Sequence, residues 1–318
     1  MSAPVPVRVG PAGWSYEDWA GIVYPARPPR GFDRLTAIAS LFDVVEVNST
    51  FYRIPPVSQT ESWPERVAGN ARFAFTAKLF RGFTHERDAG GAEEQAFRDA
   101  LAPLEDSHRL GAVLIQFPFS FHATAPNRAY LGDLLDRLED LPLAVEFRHE
   151  AWNSPETLEG LARHRAAFVN IDQPRISDNL GATAHVTAPL AYFRFHGRNA
   201  GSWFAENAAS HERYDYLYRE DELAPWVDRI RGAARALASS DSPAAEVAEG
   251  TRRVDPRSAA RGVYAILNNH FRGQAVSNAL TLQHELTGEV REVPESLIET
   301  HPATARVARA APGPRRLF

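Results

Sequence analysis

In several short stretches of this chain polar and apolar residues alternate one by one, and the polar ones are types that carry chemistry. Glu46 and Asn48 flank Val47, Thr76 and Lys78 flank Ala77, Gln116 follows Ile115, and Glu146 and Arg148 flank Phe147. Asn170 and Asp172 flank Ile171, Arg194 and His196 flank Phe195, and Asn268 follows Leu267. Successive side chains of a β-strand point to opposite faces, so within each stretch these residues share a face. Glu46, Glu146, Asp172 and His196 are the types that serve as general acids and bases. Lys78, Arg148, Arg194 and the nearby Arg198 are the types that hold phosphate or carboxylate, arginine bidentately. Lys78 has a second capability, because burial among cations lowers an amine's pKa and makes it an imine-forming nucleophile. It is the one lysine among 35 Lys and Arg residues. Either a need for a primary amine or room for only a slim ammonium explains why arginine has not replaced it.

The elements that must position these groups are apolar runs rich in Val, Phe and Ile, mostly separated by helical patterns, as in parallel βαβ units. The runs are Val7–Gly13, Val44–Asn48, Phe73–Leu79, Ala112–Phe117, Ala144–His149, Ala167–Asp172, Ala191–Gly197 and Val263–Asn269. Helical patterns cover Phe32–Phe42, Gln59–Ala68, Glu93–Leu110, Asn127–Leu138, Pro155–His164 and Gly273–Leu286. Eight strands in this alternation predict an α/β fold, a single (β/α)8 TIM-type barrel, with one domain over residues 1–318 and its core at about 7–286. The connection Gln173–Pro189 carries no helix pattern and is predicted irregular. Ala238–Gly262, rich in Ala, Ser, Pro and Arg, is predicted to be a surface insertion, and Pro302–Phe318 a loose tail.

In such a barrel one face of each strand fills the interior, and its C-terminal end floors the active site. All seven polar pairs or singles are therefore predicted to converge at the barrel mouth. Burying charges without partners is costly. The ring is thus either a ligand site or an internal salt-bridge network in which Glu46, Glu146 and Asp172 neutralise Lys78, Arg148 and Arg194. The loops just beyond the strands add Trp14, Tyr16, Phe51, Tyr52, His85, Phe119 and Phe121. Aromatic walls around charged groups suit a flat ring such as a sugar face or a nucleobase. Trp19 and Trp152 are better read as seals of the barrel rim.

Composition narrows the classes. The net charge is −5, which disfavours coating of duplex nucleic acid. There are no cysteines, which excludes disulfides, cysteine–zinc sites and thiol nucleophiles. The first residues lack the charged head and apolar run of a signal peptide, and no stretch approaches the roughly 18 apolar residues of a membrane span. The expectation is a cytoplasmic protein with no membrane partner.

The motifs GPAGWSYEDWAGIVYP (10–25), VEVNSTFYRIP (45–55), FTAKLFRGFTHE (75–86), LIQFPFSF (114–121), AVEFRHEAW (144–152), FRFHGR (193–198) and AILNNHFRGQAVSNA (265–279) occur in series. In this the sequence resembles the domain-of-unknown-function-72 family, also called YecE-like, over roughly residues 7 to 286. The resemblance implies a TIM-barrel-type fold and no established activity. Positions matching the family pattern are Trp14, Tyr16, Glu46, Asn48, Thr50, Tyr52, Lys78, His85, Gln116, Glu146, Arg148, Trp152, Asp172, Arg194, His196, Arg198, Asn268 and Asn269. Ala238–Gly262 is longer than the family usually has there, and ILNN stands where an aromatic often precedes the two asparagines.

The reading these residues favour is an enzyme acting on a small anionic or phosphorylated molecule. Lys78, Glu46, Glu146, Asp172 and His196 are its candidate catalytic groups. Trp14, Tyr16, Asn48, Tyr52, His85, Gln116, Arg148, Arg194, Arg198 and Asn268 are its candidate binding groups. No cofactor is predicted. A metal-dependent hydrolase would place a divalent ion on Glu46, Glu146, Asp172 and His196, against the repulsion of the interleaved cations. A glycosidase would use Glu46 and Glu146, about 5–5.5 Å apart if retaining. A non-catalytic module for a nucleotide or single-stranded nucleic acid would use the aromatics and arginines for stacking.

Overall fold

The computed structural model describes residues 5–203, 214–239 and 260–311. The eight apolar runs form eight parallel strands: β1 (Val7–Pro11), β2 (Val44–Val47), β3 (Ala74–Lys78), β4 (Leu110–Gln116), β5 (Leu143–Glu146), β6 (Ala167–Asp172), β7 (Leu190–Phe195) and β8 (Gly262–Leu267). They are hydrogen-bonded in the order β1-β8-β7-β6-β5-β4-β3-β2. The ring closes where Ala12 bridges Glu46 and the Gly13 amide donates to the Glu46 carbonyl at 2.8 Å. Gly10 permits that closure. A Cβ there would lie 1.9 Å from the Val44 carbonyl oxygen, so no side chain fits between β1 and β2. The predicted TIM-type barrel is the observed fold. Most strands end a residue or more before the alternating pattern does, because the chain leaves the ladder as it turns into the mouth loops.

The longer helices are α1 (Arg34–Leu41), α2 (Gly91–Asp106), α3 (Ala125–Arg137), α4 (Pro155–Arg163), α5 (Glu220–Ser239) and α6 (Gln274–Thr287). Asp33 starts α1 by accepting the Thr36 amide at 3.0 Å, and its carboxylate also takes two bonds from Arg66. The helix expected over Gln59–Ala68 is instead two short turns, Val57–Thr60 and Trp63–Arg66. Pro64 sits at the start of the second turn, where a missing N–H is tolerated, but it cannot supply the N–H that a helix continuing from the first turn needs. None of the helical patterns read from the sequence covers α5. It nonetheless buries Leu223, Trp226, Val227, Ile230, Ala233 and Leu237, a three-and-four spacing that makes one apolar face. None of these helices is long and apolar enough to cross a membrane, among the described residues.

The connection 173–189 has no helix, as the sequence predicts. Asn170 holds it: its side-chain oxygen accepts from Thr183 Oγ1 at 2.8 Å and from the His185 amide at 2.7 Å. Most of the Ala238–Gly262 insertion, and residues 312–318 of the tail, lie outside the described residues. The first part of the tail corrects the expectation of a loose segment. After a 3-10 turn over Pro302–Arg306, β10 (Ala308–Ala310) pairs in parallel with β9 (Arg291–Val293). Val293 and Leu297 are fully buried, so the core extends beyond residue 286.

Candidate functional site

Strand register decides which face looks inward, because residues paired across a parallel ladder share a side. Glu46 pairs with Thr76, Gln116 with Glu146, and Arg194 with both Ile171 and Ile266. The inward residues of β6 are therefore Val169 and Ile171. Asn170 and Asp172 pair with Phe193 and Phe195 and look outward, toward the helices. This corrects the prediction that all seven polar positions converge. Asp172 accepts from Trp226 Nε1 of α5 at 2.6 Å, from Tyr218 Oη at 3.1 Å, and from Arg198 Nε and Nη2 at 2.8 and 2.6 Å. Asp172 and Arg198 thus form a clamp outside the barrel, joining β6, the segment after β7, and α5. The alternating pattern is real on β6, but it is inverted, because on this strand polar partners wait on the outer side.

At the mouth, a cavity of about 190 Å³ is walled by Tyr16, Asn48, Tyr52, Lys78, Gln116, Arg148, Arg194, Asn268, Tyr214 and His270. The first eight are residues the sequence singled out. Glu46, Glu146 and His196 lie beneath them, fully buried. Trp14 packs edge-on against Trp63, and His85 edge-on against Phe51; neither is part of the wall. Trp19 and Trp152 are buried seals, their ring N–H groups donating to the His270 and Phe121 carbonyls.

Arg194 organises the floor. Its Nε and Nη2 donate to the two oxygens of Glu46 at 2.9 and 2.6 Å, and its Nη1 to Glu146 Oε2 at 2.6 Å. Tyr192 adds a bond to Glu46 at 2.9 Å, and Arg148 Nε pairs with Glu146 Oε1 at 2.7 Å. Burial alone would raise the Glu146 pKa, but Arg148, Arg194 and His196 outweigh it and hold the carboxyl well below its ordinary range. Burial, opposed by Glu146 and Glu46, leaves the Arg194 guanidinium with a raised pKa. Burial and then the Arg148 charge push His196 down to about 3, so its ring is neutral. It sits 3.3 Å from Glu146 and 3.0 Å from the Asn268 side chain.

Lys78 stands apart from this network. Its Nζ donates to Gln116 Oε1 at 2.6 Å and lies 3.9 Å from the centre of the Phe51 ring, a cation–π contact. The Gln116 amide is fixed because its own Nε2 donates to the Phe117 carbonyl at 2.8 Å. Thr50 Oγ1 donates to the Lys78 carbonyl at 2.7 Å and holds the strand end. No carboxylate forms an ion pair with Lys78, among the described residues. Burial, then the Arg194 charge, lower its pKa from 10.5 to about 7, with Glu146 and Glu46 opposing and Arg148 adding to the fall. Tyr16 donates to the Ala12 carbonyl at 2.6 Å, and burial raises its pKa, so it is a protonated phenol.

Sequence reasoning missed His270 and Tyr214. His270 stacks on Tyr16 with ring centres 4.2 Å apart, and Tyr214 tilts against it at 5.1 Å. The signal for His270 was present, since it lies two residues beyond Asn268 on the same parity. Tyr214 had no local signal. It reaches the wall because the segment 214–219 is pinned: Asn269 Nδ2 donates to the Tyr216 carbonyl, and Asn278 exchanges bonds with the Tyr218 backbone. A second cavity, about 200 Å³, lies between α3 and α4 and is lined by Arg128, Leu131, Trp152 and His164 among others, away from the strand ends.

The geometry bears on each of the ligand chemistries that the sequence left open. A metal set of Glu46, Glu146, Asp172 and His196 is split, since Asp172 faces the other way and both glutamates hold arginines. A glycosidase pair is equally occupied. What faces the cavity is a cationic wall of Lys78, Arg148 and Arg194 with amide and phenol groups between, and among the described residues no carboxylate lines it.

Comparisons with known proteins agree with this architecture. The family model described as "Protein of unknown function DUF72" matches residues 8–305. A Bacillus subtilis (strain 168) relative, UPF0759 protein YunF, is 30% identical over 239 residues, covering 70% of this chain and 83% of the relative. A crystal structure of a DUF72 family protein from Thermotoga maritima aligns with TM-score 0.70 at 33% identity, covering 88% of this chain and 98% of that one. A second, from Enterococcus faecalis, aligns with TM-score 0.70 at 28% identity over 88% of this chain and 95% of that one.

Proposed function

The chain belongs to the DUF72 family, and from its barrel mouth we propose that it is an enzyme whose substrate is a small molecule carrying a phosphate or carboxylate group. The observation that carries the reading is the cavity of about 190 Å³ on which Lys78, Arg148 and Arg194 converge, with no carboxylate in its wall among the described residues. The two interior glutamates lie beneath the wall and pair with Arg194 and Arg148, so they offset two of the three positive charges from below and leave the wall cationic. The volume suits a compact ligand, being smaller than the roughly 300–1,000 Å³ common for drug-sized sites. Tyr52, 69% exposed at the rim, offers a flat face to whatever part of the substrate projects outward. An extended nucleic-acid track has less support, because the chain is net −5 and these cations line one small hollow.

Lys78 is the candidate reactive group. With its pKa near 7 it is partly neutral at ordinary pH, the condition for a general base or a nucleophile. The experiment is a sulfate titration followed by thermal unfolding at pH 6, with chloride at matched ionic strength. Saturable protection by sulfate, reduced about tenfold or more in apparent affinity by Arg148→Gln, is the expected outcome. Equal protection of wild type and variant, or the same effect from chloride, would refute the anion site.

A further inference from the structure

The environment of Lys78 specifies more than an anion. We propose that Lys78 forms an imine with the carbonyl carbon of a small aldehyde or ketone that also bears an anionic group, the anion being held by Arg148 at the same wall. This rests on the anion-site reading and adds the reacting function.

Four observations converge on it. The ammonium nitrogen lines a cavity of about 190 Å³ and has no carboxylate partner among the described residues, so a substrate can approach it. Among the described residues its one polar bond is to Gln116 Oε1, on an amide whose Nε2 is anchored to the Phe117 carbonyl, which can hold one N–H while the nitrogen lone pair is directed elsewhere. The Phe51 ring at 3.9 Å favours a cation at this position whether that cation is ammonium or iminium. Lys78 is also the one lysine of a chain whose other basic residues are all arginine, and a guanidinium cannot make this bond.

The step balances without a co-reactant. The ammonium gives up a proton, the amine attacks the carbonyl carbon, and a C–N bond forms as the C=O π pair moves to oxygen. A second N–H proton passes to that oxygen, giving the carbinolamine. The first proton returns to the hydroxyl, which leaves as water while the nitrogen lone pair closes the C=N bond. Ammonium plus carbonyl has become iminium plus water, with the positive charge conserved over Phe51. His270 and Tyr214, on the same wall, carry exchangeable protons for the transfers.

The test uses the full chain, glyoxylate, pyruvate and glycolaldehyde phosphate as probes, propanal as a neutral control, and sodium borohydride to trap the imine. Because the chain has one lysine, the one other primary amine is its α-amino group, which serves as an internal standard in the peptide map. The expected result is a reduced adduct on the peptide containing Lys78, formed at least tenfold faster than on the α-amine, suppressed by sulfate and absent in Lys78→Arg. No adduct at Lys78 with any anionic probe, or labelling no faster than at the α-amine, would overturn the proposal. If sulfate still protects wild type in that case, the imine fails and the anion site stands. If propanal labels Lys78 as fast as the anionic probes and sulfate has no effect, the anionic substrate class fails instead.

Discussion

Replacing Lys78 by Met tests the electrostatics of the mouth most directly. The side chain keeps an unbranched apolar stem but loses the amine and with it the cation–π contact to Phe51. Folding lowers the lysine pKa from 10.5 to about 7, chiefly through burial. The unfolded chain therefore binds a proton more tightly than the folded one, and this opposes folding. The cost is complete below pH 7, falls as pH rises from 7 toward 10.5, and vanishes above. A shift of that size corresponds to about 5 kcal/mol at pH 6 and about 2 kcal/mol at pH 9 by proton linkage. The variant loses the Nζ bond to Gln116, which offsets about 1 to 2 kcal/mol of the gain. Lys78→Met is thus expected to be more stable than wild type at pH 6 by roughly 3 kcal/mol, with the gap narrowing by about 2 to 3 kcal/mol at pH 9. Guanidinium unfolding at pH 6, 7.5 and 9, read by tryptophan fluorescence, measures both numbers. A gap that does not change with pH, or a variant less stable at pH 6, would refute the view that the amine is desolvated and without a compensating carboxylate. The same measurement with saturating sulfate should reduce the gap, since a bound anion raises the pKa of Lys78.

Arg194→Gln leaves Glu46 and Glu146 buried without their shared cation, and should destabilise the fold by about 3 to 5 kcal/mol in chemical unfolding. Asp172→Asn should weaken the clamp to Arg198, Tyr218 and Trp226, lowering stability by about 1 to 3 kcal/mol while leaving the affinity for sulfate within about twofold. A large loss of sulfate binding with stability intact would return Asp172 to the site. His196, held neutral with its pKa near 3 against an ordinary 6.5, makes the fold lose stability as pH falls from 6.5 toward 3, because the unfolded chain then binds the extra proton. His196→Asn should lose less stability than wild type between pH 7 and 4.5; an identical pH dependence would show that the ring is protonated in place.

Much of this was legible in the residues. Alternation with period two is local, so the seven polar stretches could be picked out, and eight runs in βα order leave few closed architectures other than a barrel. Lys78, Gln116, Arg148 and Arg194 reach the same wall because each lies inward at the end of a neighbouring or opposed strand. His270 was within reach of the same logic carried two residues further along the chain from Asn268.

The rest was decided by tertiary structure. Alternation divides a strand into two faces but does not say which one is inside; that depends on register with the neighbours. On β6 the pairing of Ile171 with Arg194 turned Asp172 outward, to donors supplied by α5 and by the segment after β7. Tyr214 entered the wall because the backbones of Tyr216 and Tyr218 in the same segment bond to the side chains of Asn269 and Asn278, more than fifty residues away in sequence. The same holds for charge: the sequence supplied three carboxylates and three cations as equals at the mouth. Only the three-dimensional pairing committed Glu46 and Glu146 to Arg194 and left Lys78 facing the cavity without one, because a Coulomb interaction depends on distance and solvent exposure, neither of which is written in residue order.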